Sequence, residues 1–216
     1  MAEGEGGLFV TNNQEYHDRA TLLGHYRDRA RDEIEDKFYQ SFWVSGYGLK
    51  LRMSPYNAIT AIHALKKLDE RIISRKKCLL YFMKGLKTIP EIENPQIAEW
   101  ADMGAWYGFK PLLKLDKINT TRDKYIEFLQ NEGVDIDAPS APILTELPLY
   151  SLKNTHMFKH VSQRKIQKDK NFPVALELSV RGLSLPTFTE WKSSKPIIDQ
   201  YIKAFQKASE KFAKGK

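Results

Sequence analysis

The sequence predicts an α/β protein, and three of its features support that fold class. A long amphipathic pattern over residues 55–86 is typical of an extended helix, and Pro90 ends it. Beyond Pro90, short strand-like runs at 105–109, 134–136 and 183–185 alternate with helical segments. The 216 residues are 42% hydrophobic and 28% charged, a balance that fits a globular chain rather than a disordered one. We therefore expect a structural boundary near Pro90.

The pattern over residues 55–86 predicts one continuous helix. Ser54 is a favourable N-cap residue and Pro55 suits the first helical position, while Ile89 and Pro90 end the pattern. At about 1.5 Å per residue the helix would span roughly 45 Å, which is long enough to connect two domains. Its apolar stripe recurs at helical spacings and consists of Ala58, Ile62, Leu65, Ile72, Leu79 and Phe82.

The segment before this helix carries weaker signals. Residues 8–11 are β-prone and predict a short strand, whereas residues 14–23 predict a helix. Residues 27–37 are dense in charge and predict an exposed helix or a loop. Gly46 and Gly48 interrupt an aromatic-rich stretch, which indicates turns.

Two helices are predicted in the C-terminal part of the chain. Thr120 or Thr121 is the expected cap of a helix over residues 122–131. The last helix is expected over residues 195–212, where apolar side chains again fall on one side.

The chain is basic, with a net charge of +7 and a pI near 9.3. The excess lies in residues 153–170 and in a C-terminal run made of Lys207, Lys211, Lys214 and Lys216. A solvated face explains both runs more simply than an anionic partner does. No helix-turn-helix, RRM or zinc pattern accompanies them, so we expect no nucleic-acid partner.

Cysteine, histidine and hydropathy patterns exclude further classes. Cys78 is the only cysteine, which excludes a disulfide framework and fits a reducing compartment. His156 and His160 stand four residues apart without supporting carboxylates, so no metal site is predicted. No apolar stretch approaches the ~20 residues of a membrane span, and residues 1–7 are too acidic and glycine-rich for a signal peptide. We expect a cytoplasmic protein without a membrane partner.

Five segments follow the order of one known family. They read GEGGLFVTN at 4–12, RATLLGHYR at 19–27, GLKLRMSP at 48–55, LKTIPEI at 86–92 and LSLPTF at 183–188. In this order and spacing they resemble the DegT/StrS family of sugar aminotransferases, which use pyridoxal 5'-phosphate (PLP). The second segment departs from the family pattern, because Tyr26 stands where a glycine is usual.

The resemblance implies a particular version of the α/β fold. Residues 1–53 would be the incomplete C-terminal remnant of a fold-type I PLP-binding large domain. Residues 54–89 would form the long connecting helix, and residues 90–216 a small C-terminal α/β domain with an antiparallel sheet.

The resemblance also implies cofactor and substrate contacts. Lys50 stands where the family uses Asn or Lys to reach the PLP phosphate of its dimer partner, and Arg52 is a second cation nearby. Gly6 and Gly7 would let the backbone pass close to the cofactor, and His25 would contact the substrate. Each has a plainer alternative: a solvated lysine, a locally paired arginine, a flexible N-terminal tail, and a packed or surface histidine.

In the family, the lysine that forms a Schiff base with PLP precedes the GEGG segment. Residues 1–3 contain no lysine, and Lys37 and Lys50 match other parts of the pattern, so we assign no catalytic residue. We expect PLP to bind only with a complementing N-terminal half or in a full-length family member, and the chain to be inactive alone. A natural half, a truncated reading frame and a fragment all stay open.

The function that the resemblance implies is amination of a keto-sugar, carried on a nucleotide or related to a cyclitol, for cell-surface polysaccharide or amino-sugar biosynthesis. The expected partners are a second copy in a homodimer or a complementing aminotransferase half, together with the nucleotide-sugar substrate. The alternative is a non-catalytic remnant that serves as a dimerisation or interaction module.

Overall fold

The computed structural model describes residues 6–104, 106–147 and 172–214. The chain divides into two compact units, Met1–Asp69 and Glu70–Lys216, called here the N-terminal and C-terminal units. Several predicted features lie outside the described residues: the basic run at 153–170 with His156 and His160, Lys216, and the first two residues of the GEGG segment.

The described part of the N-terminal unit is helical. It contains α1 (Gln14–Gly24), α2 (Asp28–Glu33), α3 (Lys37–Gln40) and α4 (Pro55–Lys66). The helix predicted over 14–23 is confirmed as α1, which begins after Asn13, whose side chain accepts a hydrogen bond from the Tyr16 N–H at 3.1 Å. The charged stretch over 27–37 contains the short helix α2.

A small core holds the N-terminal unit together. Leu22, Ala30 and Ile34 are buried, and the half-buried rings of Tyr39 and Trp43 pack against them. These residues come from α1, α2 and the segments around α3, so the core joins the first three helices of the unit.

The strand predicted over residues 8–11 does not form in the described structure. Leu8, Phe9 and Val10 are 67–86% exposed. Apolar, β-prone residues adopt a stable strand only when a neighbouring strand supplies hydrogen bonds and a packing surface, and propensity alone does not supply either.

The helix predicted over 55–86 is divided in two at Lys67. Helix α4 ends at Lys66 and α5 (Leu68–Leu86) begins one residue after the break. Lys67 has φ −106° and ψ 6°, and its N–H bonds to the Ala64 carbonyl three residues back instead of four. The apolar spacing gave no sign of the break, because spacing predicts which residues fall on one face of a helix and does not report whether the backbone hydrogen bonds are continuous. The domain assignment 1–53, 54–89 and 90–216 stays a prediction.

Two features at the start of α4 bear on its predicted cap. Ser54 occupies the N-cap position, but its side chain makes no capping hydrogen bond, so the cap is positional only. Pro55 stands at the start of the helix as expected.

The C-terminal unit consists of helices and a small antiparallel sheet. Strand β1 (Ile92–Glu93) pairs with β2 (Leu112–Leu113), so that Ile92 faces Leu113 and Glu93 faces Leu112. The strand-like runs of the sequence contribute isolated antiparallel bridges, Phe109 with Leu185 and Asp137 with Ser184, rather than continuous strands.

The helices of the C-terminal unit are α5, α6 (Arg122–Asn131), α7 (Pro173–Arg181) and α8 (Trp191–Phe212), with short 3-10 helices at Leu115–Lys117 and Leu144–Glu146. Helix α6 is confirmed with the predicted bounds, and the Thr121 hydroxyl accepts from the Lys124 N–H at 3.3 Å. Helix α8 begins four residues before the predicted start, at Trp191.

Helices α5, α6 and α8 enclose the main core of the described chain. Phe82 lies at its centre, completely buried, with its ring centroid 5.4 Å from that of Phe109 and 6.2–6.3 Å from those of Tyr201 and Phe205. The contact with Phe109 is tilted and those with Tyr201 and Phe205 are edge-to-face, and large aromatic side chains packed in this way contribute much of a core's stability.

Candidate cofactor-binding site

The segment after α3 is fixed against the end of α1 by two backbone hydrogen bonds. The N–H of Tyr47 donates to the Leu22 carbonyl at 3.0 Å, and the N–H of Leu51 donates to the Gly24 carbonyl at 2.8 Å. The last carbonyls of a helix lack partners inside the helix, so an adjacent extended segment can satisfy them. As a result, the GLKLR sequence lies beside the residues that follow α1.

Gly46 makes this approach possible. Its φ is +55°, and a Cβ atom built on it would lie 2.7 Å from the His25 carbonyl oxygen and 3.0 Å from that of Leu22. Both neighbours are backbone atoms that cannot rotate away, so a residue with a side chain would displace the turn.

Two cations of the GLKLR segment share one aromatic ring. The Nζ atom of Lys50 lies 5.9 Å from the centre of the Tyr26 ring, and the Cζ atom of Arg52 lies 5.8 Å from it. Both distances fall within the range of cation–π attraction. Among the described residues, no carboxylate lies within salt-bridge distance of either cation.

His25 stands next to this ring and is bonded to a further cation. The Arg29 guanidinium donates from Nη1 to His25 Nε2 at 3.1 Å, and its Nε donates to Glu33 at 2.7 Å. The assignment of Nε2 as acceptor requires the neutral imidazole. Burial lowers the pKa of His25, and the positive charges of Arg29 and Arg52 lower it further, while Glu33 opposes them.

We call His25, Tyr26, Arg29, Lys50 and Arg52 the Tyr26 cluster. Two exposed cations without described counter-ions produce a positive local potential, and they lie beside a histidine whose pKa is lowered by burial and, in addition, by the positive charges of Arg29 and Arg52. An ammonium and a guanidinium together suit a phosphate group, which accepts several charge-assisted hydrogen bonds. The cluster therefore has the chemistry of an anion site.

Of the two predicted glycines, Gly6 lies close to this segment, and its φ of +157° is one that residues with a side chain rarely adopt. A Cβ atom on Gly6 would meet Met53 Cε at 3.6 Å, an ordinary contact, and one on Gly7 would meet nothing within 4 Å. Gly6 thus lies near the residue that follows Arg52. Whether Gly6 and Gly7 approach a cofactor stays a prediction.

The structure adds two residues to those named from sequence, Tyr26 and Arg29. Tyr26 carried a usable signal, because a tyrosine at a position where the family has glycine is a departure next to the predicted His25. No sequence feature marked Arg29 as a site residue, because it lies in a densely charged stretch where any of the charged side chains could simply be exposed to solvent.

The described residues contain no group of three or more His, Cys, Asp or Glu side chains placed to hold a metal ion. None of their helices has both the length and the apolar character that crossing a bilayer would demand.

The fold is that of solved aminotransferases. The aminotransferase from Psychrobacter cryohalolentis superimposes with a TM-score of 0.67 at 16% identity, over 94% of this chain and 51% of its own. DesV from S. venezuelae, solved with a ketimine intermediate, gives 0.65 at 21% identity, over 93% and 46%. The predicted α/β class, with a small antiparallel sheet, is confirmed by these likenesses.

Within that class, residues 1–199 match the sequence model of the DegT/DnrJ/EryC1/StrS aminotransferase family, and the chain belongs to this family. Structures of similar proteins have been solved with PLP bound and with GDP-perosamine bound.

Two curated relatives carry functional names. The spore coat polysaccharide biosynthesis protein SpsC of Bacillus subtilis is 23% identical over 209 residues, covering 94% of this chain and 49% of its own length. The GDP-perosamine synthase of Escherichia coli O157:H7 is 20% identical over 197 residues, covering 91% and 46%. The chain spans about half the length of the curated relatives it matches.

Proposed function

We propose that this chain is the C-terminal part of a PLP-dependent aminotransferase that aminates a keto-sugar, on a nucleotide carrier or as a cyclitol, for polysaccharide or amino-sugar biosynthesis. Family membership over residues 1–199 supports the reaction class. The names of the relatives from Bacillus subtilis and Escherichia coli support a sugar substrate and a polysaccharide product. The single cysteine is consistent with cytoplasmic placement, which belongs to the same proposal.

The observation that carries the proposal is the pair of cations on the Tyr26 ring. Lys50 and Arg52 have no described carboxylate partner, and both are exposed at a site that fits a dianionic phosphate. PLP, when bound, supplies the electron-withdrawing ring that makes transamination feasible. The role of this chain's residues is to bind its phosphate end through Lys50 and Arg52, with the backbone at Gly6 and Gly7 close by and neutral His25 facing the substrate.

The described lysines of the N-terminal unit do not fit the role of the cofactor-bearing lysine. A lysine that reacts with a carbonyl at neutral pH is usually desolvated or placed beside another cation so that its pKa falls. Lys37, Lys50, Lys66 and Lys67 are all exposed. Lys37 donates to Gln40 at 2.9 Å. Lys50 shares the Tyr26 ring with the cation Arg52, but it is exposed to solvent rather than desolvated. We infer that these 216 residues do not transaminate alone and that a complementing aminotransferase half or a second copy completes the site.

A PLP titration of the purified chain tests both parts of the proposal. Without a complementing half, the phosphate site of the chain is expected to hold PLP only weakly, but more tightly than pyridoxal, which lacks the phosphate. Lys50→Gln and Arg52→Gln are each expected to weaken this residual PLP binding about tenfold. Lys37→Gln is the matched control, because it removes an exposed lysine of the same unit outside the cluster. Equal affinity for PLP and pyridoxal would refute the phosphate site.

Borohydride reduction followed by peptide mass spectrometry addresses the lysine question. Weak labelling scattered over surface lysines is expected. Stoichiometric attachment of PLP to a single lysine, or turnover of a keto-sugar by the chain alone, would show that the inference of inactivity is wrong.

The second candidate is a non-catalytic interaction module, and the surface of α4 favours it. Tyr56, Ile59, Ile62 and Leu65 are each more than half exposed along this helix. Concentration-dependent self-association measured by sedimentation, together with no preference for PLP over pyridoxal, would favour this candidate over the aminotransferase part.

A further inference from the structure

Tyr26 is fixed in place by the backbone around it. It directly follows His25, whose N–H still donates to the Thr21 carbonyl of α1 at 2.8 Å. On the other side, a Cβ atom on Gly46 would lie 3.3 Å from the Tyr26 Cβ, so the turn at Gly46 packs closely against it. The Cβ atom of Tyr26 is therefore held at the end of α1, and the side chain that it carries is half-buried.

Lys50 and Arg52 need such an anchor because they are like charges separated by one residue. Side chains of this length sample many conformations in solvent, and two cations without a described counter-ion repel each other. The face of an aromatic ring carries partial negative charge and attracts both cations. Tyr26 is the described ring that the two share, at 5.9 and 5.8 Å.

We propose that Tyr26 is a positioning residue, which holds Lys50 and Arg52 beside His25 so that both cations face one phosphate. The inference rests on the proposed function for its ligand, but the positioning itself is independent of any ligand.

The His25 pKa reports the position of Arg52 without any ligand. Burial is the largest cause of the lowered His25 pKa, and three charged groups also act on it: Arg29 and Arg52 lower the pKa and Glu33 raises it. NMR titration of His25 is expected to show a higher pKa in Arg52→Gln than in the unmodified chain. Tyr26→Leu, which keeps an apolar side chain of substantial size, is expected to raise the pKa in the same way by releasing Arg52. Tyr26→Phe keeps the ring and is expected to leave the pKa unchanged.

The double variant makes this test decisive. If Tyr26 positions Arg52, then adding Arg52→Gln to Tyr26→Leu produces little further change in the His25 pKa. The same shift from Arg52→Gln in both backgrounds would overturn the proposal, and so would equal behaviour of Tyr26→Leu and Tyr26→Phe.

PLP binding provides the second readout. Tyr26→Leu is expected to weaken PLP binding about fivefold, since it removes the attraction that orders two cations, whereas Tyr26→Phe stays within about twofold. If Lys50→Gln and Arg52→Gln leave PLP binding intact, the proposed function fails, and the His25 titration still decides the role of Tyr26. If those two variants weaken binding and Tyr26→Leu does not, the positioning role alone fails.

Discussion

The two units of the chain differ sharply in how much apolar surface they bury. The C-terminal unit has a continuous core in which residues such as Phe82, Leu113 and Phe205 are completely inaccessible. In the described part of the N-terminal unit, the buried apolar cluster consists of Leu22, Ala30 and Ile34. That unit instead exposes many large apolar side chains, among them Leu8, Phe9, Val10, Phe38, Val44, Leu51, Tyr56, Ile59, Ile62 and Leu65.

This difference suggests different sources of stability. Burial of apolar surface is the main favourable contribution to folding, so the C-terminal unit has the interior of a self-supporting domain. The N-terminal unit depends more on backbone and carboxylate hydrogen bonds, and its exposed apolar residues suit a protein surface that would cover them. The candidate cofactor site lies in the less self-sufficient unit.

The largest expected effect is in the core of the C-terminal unit. Phe82→Ala is expected to lower the free energy of unfolding of that unit by about 3–5 kcal/mol, because it removes a fully buried ring and leaves a cavity. Leu80→Ala is the control on the same helix, since Leu80 is 43% exposed, and its cost is expected to stay below about 1 kcal/mol.

Urea unfolding, monitored by hydrogen exchange and mass spectrometry, distinguishes the unfolding of the C-terminal unit from that of the N-terminal unit. The amides of α6 and α8 should lose protection in Phe82→Ala, while those of α1 keep theirs. Equal loss of protection in α1 would break the comparison, because it would show that the two units unfold together.

The elements that the sequence predicted well are those whose signals are local. Helix α6 has a capping threonine, an apolar face and a glycine after its end, and all three act within about a dozen residues. Two predictions were wrong, the strand over 8–11 and the unbroken helix over 55–86. The strand does not form because a strand needs a pairing partner elsewhere in the chain, which local sequence does not reveal. The break at Lys67 likewise has no sequence signature of its own.

The candidate site was predictable only as separate pieces. Lys50, Arg52 and His25 were named from the family pattern, but their meeting depends on hydrogen bonds between segments about 25 residues apart, Tyr47 to Leu22 and Leu51 to Gly24. No periodicity in the sequence encodes such a contact.

Gly46 links the stability of the N-terminal unit to its site, and it should give the second-largest effect. Gly46→Ala is expected to cost about 2 kcal/mol, because positive φ and backbone contacts at 2.7 and 3.0 Å oppose any side chain. Gly48→Ala is the matched control: its φ of +92° is also strained, but no atom lies within 4 Å of the added Cβ. This account would be supported if the Leu51 amide exchanges faster in Gly46→Ala than in the unmodified chain, and if the increase in its exchange rate is smaller in Gly48→Ala.

The smallest of the three effects concerns the buried carboxylate of Asp18. It accepts hydrogen bonds from the backbone N–H groups of Asp36 at 3.0 Å and Glu35 at 3.2 Å, and from the Gln14 amide at 2.8 Å. Asp18→Asn replaces one of the two accepting carboxylate oxygens with an NH2 group, which can only donate. The substitution is expected to destabilise the N-terminal unit by about 1–2 kcal/mol. Asp32→Asn, an exposed carboxylate paired with Arg31, is the control and should leave protection of α1 unchanged.

The Asp18 effect should depend on pH in one direction. Burial alone raises its pKa, but the hydrogen bonds from Asp36, His17, Gln14 and Glu35 outweigh it, and the pKa lies below the ordinary value of 3.8. The folded state therefore holds this proton less tightly than the unfolded state, so the stabilisation is complete well above 3.8 and is lost as pH falls through the folded-state pKa. The gap in stability between the unmodified chain and Asp18→Asn should accordingly be widest near neutral pH and shrink in acid. A gap that stays constant on acidification would mean that the ionised form of Asp18 does not stabilise the N-terminal unit, and the contrast with the apolar C-terminal unit would have to rest on hydrogen bonds that do not need this charge.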